Sequence, residues 1–216
     1  MTDRTYTALL LVIDRSGSMI SIRDDMVGGL QALLAEQAAH PGMLTVDVVT
    51  FDTVVEWTHH FAAPADVRVE LEPRGSTALF DALGGAVSHF GSELAKLPEH
   101  ARPGTVQVVV VTDGEENSSV EWTAQGVRAA VTKQTETFGW DFVFLGANQD
   151  AALAARTIGI AADKALDYTA APDGVAGASQ SLSAYVSRLR AAEADGIAYS
   201  DIAFSDDERR SARGEQ

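Results

Sequence analysis

Two runs in this chain, "TALLLVI" at residues 7–13 and "VQVVVVT" at residues 106–112, are apolar at nearly every position. A strand with one face in water alternates apolar and polar residues, so an almost unbroken apolar run implies burial on both faces. Both runs fall far short of the roughly 20 residues needed to cross a bilayer as a helix. They call for a sheet covered by helices on either side, and the rest of the chain supplies the helices. In "TALFDALGGAVSHFGSELAKL", Leu79, Leu83, Val87, Phe90, Leu94 and Leu97 recur three or four apart, and Ile22, Met26, Leu30, Leu33 and Leu34 do the same after the first run. That spacing lines one helix face with apolar groups.

The alternation of strand-like and helix-like segments predicts an α/β fold, a doubly wound and mostly parallel central sheet flanked by helices on both faces. Strands are expected at Tyr6 to Ile13, Leu44 to Phe51, Val54 to Thr58, Val106 to Thr112, Trp140 to Leu145 and Ala165 to Tyr168, with the first and fourth central. Only "DT" separates the second from the third, too short for a helical crossover, so the third strand is expected to return antiparallel at the edge. Further helices are expected over Thr123 to Thr137, Gln149 to Ile158 and Gly174 to Ala192. The glycine pairs Gly28-Gly29 and Gly84-Gly85 fall inside helices, where each glycine costs about 1 kcal/mol relative to alanine, so a close backbone approach is expected there, such as helix on sheet. Residues 1–192 are expected to form a single domain. Residues 193–216 form a C-terminal extension, and its closing "SDDERRSARGEQ" has no apolar period and is expected to fray.

Sixteen basic and thirty-one acidic side chains give a formal charge of −15, a field that repels nucleic acid and anionic lipid. No membrane insertion is expected, and because "MTDRTYT" lacks a basic region followed by an apolar segment, a cytoplasmic location is the expectation. With no cysteine, the chain has no disulfide, thiolate metal site or cysteine nucleophile.

In an open doubly wound sheet, ligands bind beyond the carboxyl ends of the strands. The first strand ends in "DRSGSM", with Asp14, Ser16 and Ser18; the fourth ends in Thr112, Asp113 and Gly114; and Gly75-Ser76-Thr77 precedes a helix. The shared chemistry is oxygen, which suits hard divalent cations such as Mg²⁺, Mn²⁺ or Ca²⁺ better than zinc. Gly17 lets the hydroxyls of Ser16 and Ser18 face one point. Neutral hydroxyls leave much of a cation's charge unquenched, open to one further anionic oxygen. Taken singly, each cluster has a plainer reading: Ser16, Ser18, Ser21 or Thr77 as a helix cap, and Asp113-Gly114 as a turn.

Together, "DRSGSM" at 14–19, "GSTAL" at 75–79 and "VTDGEEN" at 111–117 resemble the three parts of the metal-ion-dependent adhesion site of von Willebrand factor type A domains. The resemblance covers roughly residues 5–190. It implies strand order 3-2-1-4-5-6 with strand three antiparallel. It also implies Ser16, Ser18 and Thr77 as direct metal ligands, Asp14 and Asp113 acting directly or through water, and a partner's Glu or Asp carboxylate completing the metal. Arg15, Met19, Ser76, Gly114, Glu115, Glu116 and Asn117 are then expected on the partner-binding rim, with Mg²⁺ as the ion. The stretch "GWDFVFLGANQDAALAARTIGIAADKALDY" is similar to a bacterial and bacteriophage, intracellular branch of these domains.

The function expected is a divalent-cation-dependent protein-binding module. Two rivals stand beside it. One is a metal-dependent hydrolase, whose only plausible bases are Glu115 and Glu116, since the five histidines are expected at scattered or solvent-facing places. The other is a self-assembling subunit whose neighbour supplies the carboxylate. The chain has no phosphate-cradling Gly-x-x-x-x-Gly-Lys loop, and no nucleophile elbow surrounds either serine.

Overall fold

The computed structural model describes residues 2–147, 150–195 and 201–215. Its strands are β1 (Asp3–Asp14), β2 (Met43–Phe51), β3 (Val55–Ala62), β4 (Pro103–Thr112), β5 (Asp141–Ala147) and β6 (Ala165–Tyr168). They form one sheet in the order β3-β2-β1-β4-β5-β6. All neighbours pair in parallel except β3, which runs antiparallel to β2. The helices are α1 (Arg23–Ala39), α2 (Leu79–Lys96), α3 (Ala124–Phe138), α4 (Ala151–Thr157), α5 (Pro172–Asp195) and α6 (Asp206–Ala212). Gln149, expected to open α4, lies outside the described residues.

Burial on both faces explains the apolar runs. Leu9, Leu11 and Ile13 of β1 point into a core shared with α1, α5 and α6, while Ala8, Leu10 and Val12 point into a second core shared with α2, α3 and α4. Each fully buried Leu, Ile or Val contributes about 1.5–3 kcal/mol relative to an exposed one, so the central strands anchor both layers. The chain after β1 leads to α1 on one face; the chain after β4 leads to α3 on the other. A crevice therefore opens between β1 and β4 at their carboxyl ends.

The glycine pairs do mark close approaches, but not of helix on sheet. A Cβ at Gly29 would lie 2.1 Å from Ser179 Oγ of α5, and one at Gly84 would lie 2.2 Å from the Trp122 ring. One glycine thus seats helix on helix, and the other seats a tryptophan of the loop before α3. Gly28 and Gly85 meet nothing nearby.

Within the closing segment, residues 206–212 form a docked helix where the lack of apolar period suggested none. Ser205 caps α6 in a reciprocal capping box with Glu208, and Ile202, Phe204 and Ala212 are buried. Tyr185 of α5 donates its hydroxyl to the Ile202 carbonyl and packs on Phe204, while Arg188 pairs with Glu208. The apolar residues that dock this segment mostly precede the helix, so helical periodicity could not reveal them.

Candidate metal centre

Asp14 closes β1 and is wholly buried. Its Oδ1 accepts the Ser16 amide at 2.6 Å, and its Oδ2 accepts the Thr112 hydroxyl from the end of β4 at 2.6 Å. The carboxylate is thereby held in a single orientation at the mouth of the crevice. Ser16 and Ser18 place their hydroxyl oxygens 3.1 Å apart, and Ser18 Oγ donates to Asp113 Oδ1 at 2.6 Å. Gly17 hydrogen-bonds the Gly75 carbonyl and Arg74 the Arg15 carbonyl, which seats the second loop against the first. Gly75 has φ of +67°, and a Cβ there would press on Thr53 and Asp52 at 3.3–3.4 Å. This turn needs glycine.

Thr77 is fixed from two sides. Its amide donates to Asn117 Oδ1 at 2.9 Å and its carbonyl accepts the Asn117 amide at 3.0 Å. The third loop thus fixes the backbone of the second at Thr77. Gly114 lies where the three loops meet: a Cβ at that position would stand 3.1 Å from Thr77 Oγ1, 3.6 Å from Ser18 Oγ and 3.9 Å from Asp14 Oδ2. Oxygens from the first two motifs therefore converge on Gly114 of the third, around one small volume that a side chain would fill.

None of these hydroxyls caps a helix. The short 3-10 turn after Ser16, α1 and α2 all begin without a side-chain cap. The first turn of α2 is closed instead by Glu116, which accepts the Phe80 amide, and by Ser119, whose hydroxyl accepts the Asp81 amide. The plainer reading of the serines and the threonine fails on this geometry.

Burial raises the Asp14 carboxyl above the ordinary carboxylate value against the opposing bonds from Thr112 and Ser16, and the nearby Asp113 charge adds to the rise. Asp113 is raised by burial as well, opposed by Ser18. Tyr168, whose hydroxyl donates to the Thr112 carbonyl, is pushed up by burial and then by both aspartates. Two carboxylates forced together in a desolvated crevice favour a cation between them. Among the described residues no group of three or more His, Cys, Asp or Glu side chains is arranged to hold a metal. This centre offers two carboxylates and three hydroxyls, a donor set that fits a hard, oxygen-seeking ion and not a soft one.

The expected rim is divided. Ser76 and Glu115 are exposed, and Gly114 lies among the Thr77, Ser18 and Asp14 oxygens. Met19 is wholly buried in the α1 core, because the turn after Ser18 folds it inward. Arg15 is 6% exposed and engaged with Asp52 at 3.0 Å and Glu56 at 2.6 Å, because the hairpin beyond β2 carries the carboxylates that neutralise it. Glu116 is bonded to the amides of Phe80, Ser118 and Ser119 and to the Ser119 hydroxyl, so it is a clamp between loops. Asn117 is exposed but spends its carbonyl oxygen on Thr77.

Asp52, Arg74 and Asp81 do work that the motifs did not announce, and Thr112, within the third motif, bonds Asp14. Asp52 accepts both Arg15 and Arg74, and Asp81 accepts the amides of Val120, Glu121 and Trp122. The available signal was position: Asp52 and Thr112 each stand at or just past the carboxyl end of a strand, as Asp14 does. The histidines are not all scattered: His59 and His60 lie on β3, and His60 stacks on Trp57 with centroids 4.7 Å apart. His89 of α2 meets both rings edge-on.

No protein-family model matches the sequence, and no curated protein sequence does. Solved structures do match. The proximal thread matrix protein 1 of the mussel byssus, in a form with a zinc-occupied MIDAS motif, superposes with TM-score 0.62 at 17% identity, over 82% of this chain and 45% of that one. A von Willebrand factor type A protein from Catenulispora acidiphila gives TM-score 0.57 at 17% identity, over 83% and 42%. The vWF domain of the type V pili tip protein Mfa5 from Porphyromonas gingivalis gives 0.59 at 13% identity, over 84% and 95%. The chain spans less than half the length of the first two. These likenesses show that the fold is that of von Willebrand factor type A domains.

Proposed function

We propose that this chain is a divalent-cation-dependent protein-binding module. Asp14, Ser16, Ser18, Thr77 and Asp113 hold a Mg²⁺-type ion, and the ion takes a Glu or Asp carboxylate from a partner protein in the cytoplasm. The observation that carries this reading is the convergence of Asp14, Ser18 and Thr77 oxygens around Gly114, with no helix capped by the hydroxyls. A cation bound there would supply the positive charge that an acidic crevice otherwise lacks, with Mn²⁺ or Ca²⁺ as alternatives. Thr112 and the Ser16 amide orient Asp14, Asn117 orients Thr77, and Asp113 holds Ser18. Exposed Ser76 and Glu115 border the crevice and set which carboxylate can approach. In the mussel protein the MIDAS motif is occupied by zinc. The all-oxygen donor set here supports a harder ion.

Calorimetric titration of Mg²⁺, Mn²⁺ and Ca²⁺ into metal-free protein tests this, alongside the Ser16→Ala/Ser18→Ala double variant. Heat in the parent that vanishes in the variant supports the reading, and absence of heat in the parent sinks it. Glu115 is exposed beside the centre, which favours a second reading in which it completes the metal of a neighbouring copy. Sedimentation with and without Mg²⁺ separates the two, since a metal-independent monomer leaves only the first.

A further inference from the structure

At the opposite end of the sheet, the C-terminal halves of α2 and α3 and the start of β4 border a half-open cavity of about 600 Å³. Its volume lies within the range of small-molecule sites, about 300–1,000 Å³. The apolar lining includes Val87 and Leu94 of α2 and the Trp140 ring, which itself packs edge-on against Phe90. Phe138 lines it too and is 60% exposed, an aromatic left uncovered at the entrance.

The charge of the lining is as specific as its shape. In a chain of thirty-one acidic and sixteen basic side chains, the ionisable groups lining this cavity are both cations, Lys133 and Arg102. Arg102 is held in place by donating to the Leu97 and Ala95 carbonyls at the end of α2. Lys133 is exposed and has neither ion pair nor hydrogen bond among the described residues. A half-open chamber whose lining is more apolar than polar, with Thr2, Ser88, Ser92 and Gln134 among the apolar groups, and which carries a fixed guanidinium and an uncommitted ammonium, complements a molecule that is apolar along its body and anionic at one end.

We infer that this cavity binds a small carboxylate amphiphile, its apolar body against Trp140, Phe138, Val87 and Leu94 and its carboxylate toward Lys133 and Arg102. The site is separate from the metal centre and does not rest on the metal reading. Its test is titration of the full chain with decanoate below its micelle-forming concentration, by calorimetry and tryptophan fluorescence, with decyltrimethylammonium and decanol as matched probes. The expected result is saturable one-site binding of decanoate, unchanged by EDTA and weaker by about tenfold or more for the other two probes. Lys133→Glu should weaken decanoate by about tenfold, the equivalent of about 1.4 kcal/mol. Ala95→Trp, which fills the chamber from an exposed helix position, should abolish binding while leaving the thermal midpoint in place. Absence of saturable decanoate binding, equal binding of the cationic probe, or undiminished binding in Ala95→Trp would each overturn the inference.

Discussion

The two ends of the central strands are built on opposite principles. At the carboxyl ends of β1 and β4, three loops bring carboxylates and hydroxyls within a few ångströms of one another, and Asp14, Ser18 and Thr77 are each bonded by a residue of another loop or strand end. At the amino end of β4 the boundary is made by apolar side chains, a few neutral polar ones and two cations, and among the described residues no comparable hydrogen-bonded cluster organises it. The difference follows from winding. Connections diverge to opposite faces at the carboxyl ends, opening a crevice lined by loop backbone and short polar groups. At the amino end α2 and α3 lie side by side on one face, and a gap between helices is lined by what helices bury. One end suits an ion, the other an apolar body.

The strongest challenge to this contrast is to fill the carboxyl end. Gly114→Val places methyl groups among the Thr77, Ser18 and Asp14 oxygens, and metal binding should fall by a factor of about 100 or more by calorimetry, comparable to or beyond the loss of an oriented ligand. Decanoate binding at the other end should not change.

A smaller loss is expected where the orienting bond is removed. Thr112→Val keeps the shape but takes the hydroxyl from Asp14 and from the Gly114 backbone, and metal affinity should drop about 10- to 100-fold while unfolding free energy falls by about 1–3 kcal/mol. An unaltered affinity would mean that Asp14 is aligned by the Ser16 amide alone.

Gly84→Ala probes how the third loop is seated. The new Cβ collides with the Trp122 ring, so unfolding free energy should fall by about 1–3 kcal/mol in urea denaturation. Because Trp122 anchors the loop that begins at Asp113, metal affinity should weaken alongside.

Asp47 sharpens the contrast from within the sheet. It is as buried as Asp14, on the neighbouring strand, yet it meets the Phe61 amide and His60 in place of converging hydroxyls. Burial pushes it up to about 6, against the Phe61 bond and the charges of His60 and His89. A carboxyl raised in the fold stabilises it fully below its unfolded value near 4, and that contribution is lost as pH rises to about 6. Stability should therefore decline by about 1–2 kcal/mol from this group between pH 4 and 6, and Asp47→Asn should remove that decline, as seen in urea midpoints across the range.

The smallest expected effect is a null. In the Gly114→Val/Ala95→Trp double variant, stability changes should add within about 0.5 kcal/mol, as for separated sites. Larger coupling would show that the two ends communicate.

The fold was legible because its signal is local. Residues 7–13 and 106–112 announce strands covered on both faces, the "DT" link announces an antiparallel edge, and Leu79 through Leu94 announce a helix against the sheet, each from spacing that a single segment carries. The five residues proposed as metal ligands could be picked from the same segments. The functions of their neighbours could not. Arg15 and Glu116 look like rim charges until Asp52, Glu56 and the α2 amides are seen beside them, and α6 looks like a tail until Tyr185 and Arg188 meet it.

What the sequence by itself determined is the alternation of buried strands and one-sided helices, together with which oxygens stand at the strand ends. Only the tertiary structure decided that Asp14 is steered by Thr112, Thr77 by Asn117 and Ser18 by Asp113, and that α2 and α3 leave a cationic apolar chamber. The reason is physical. Hydrophobic periodicity is written in residues three or four apart, whereas these hydrogen bonds join residues 40 to 98 positions apart. Their partners exist only once the sheet has brought the loops together.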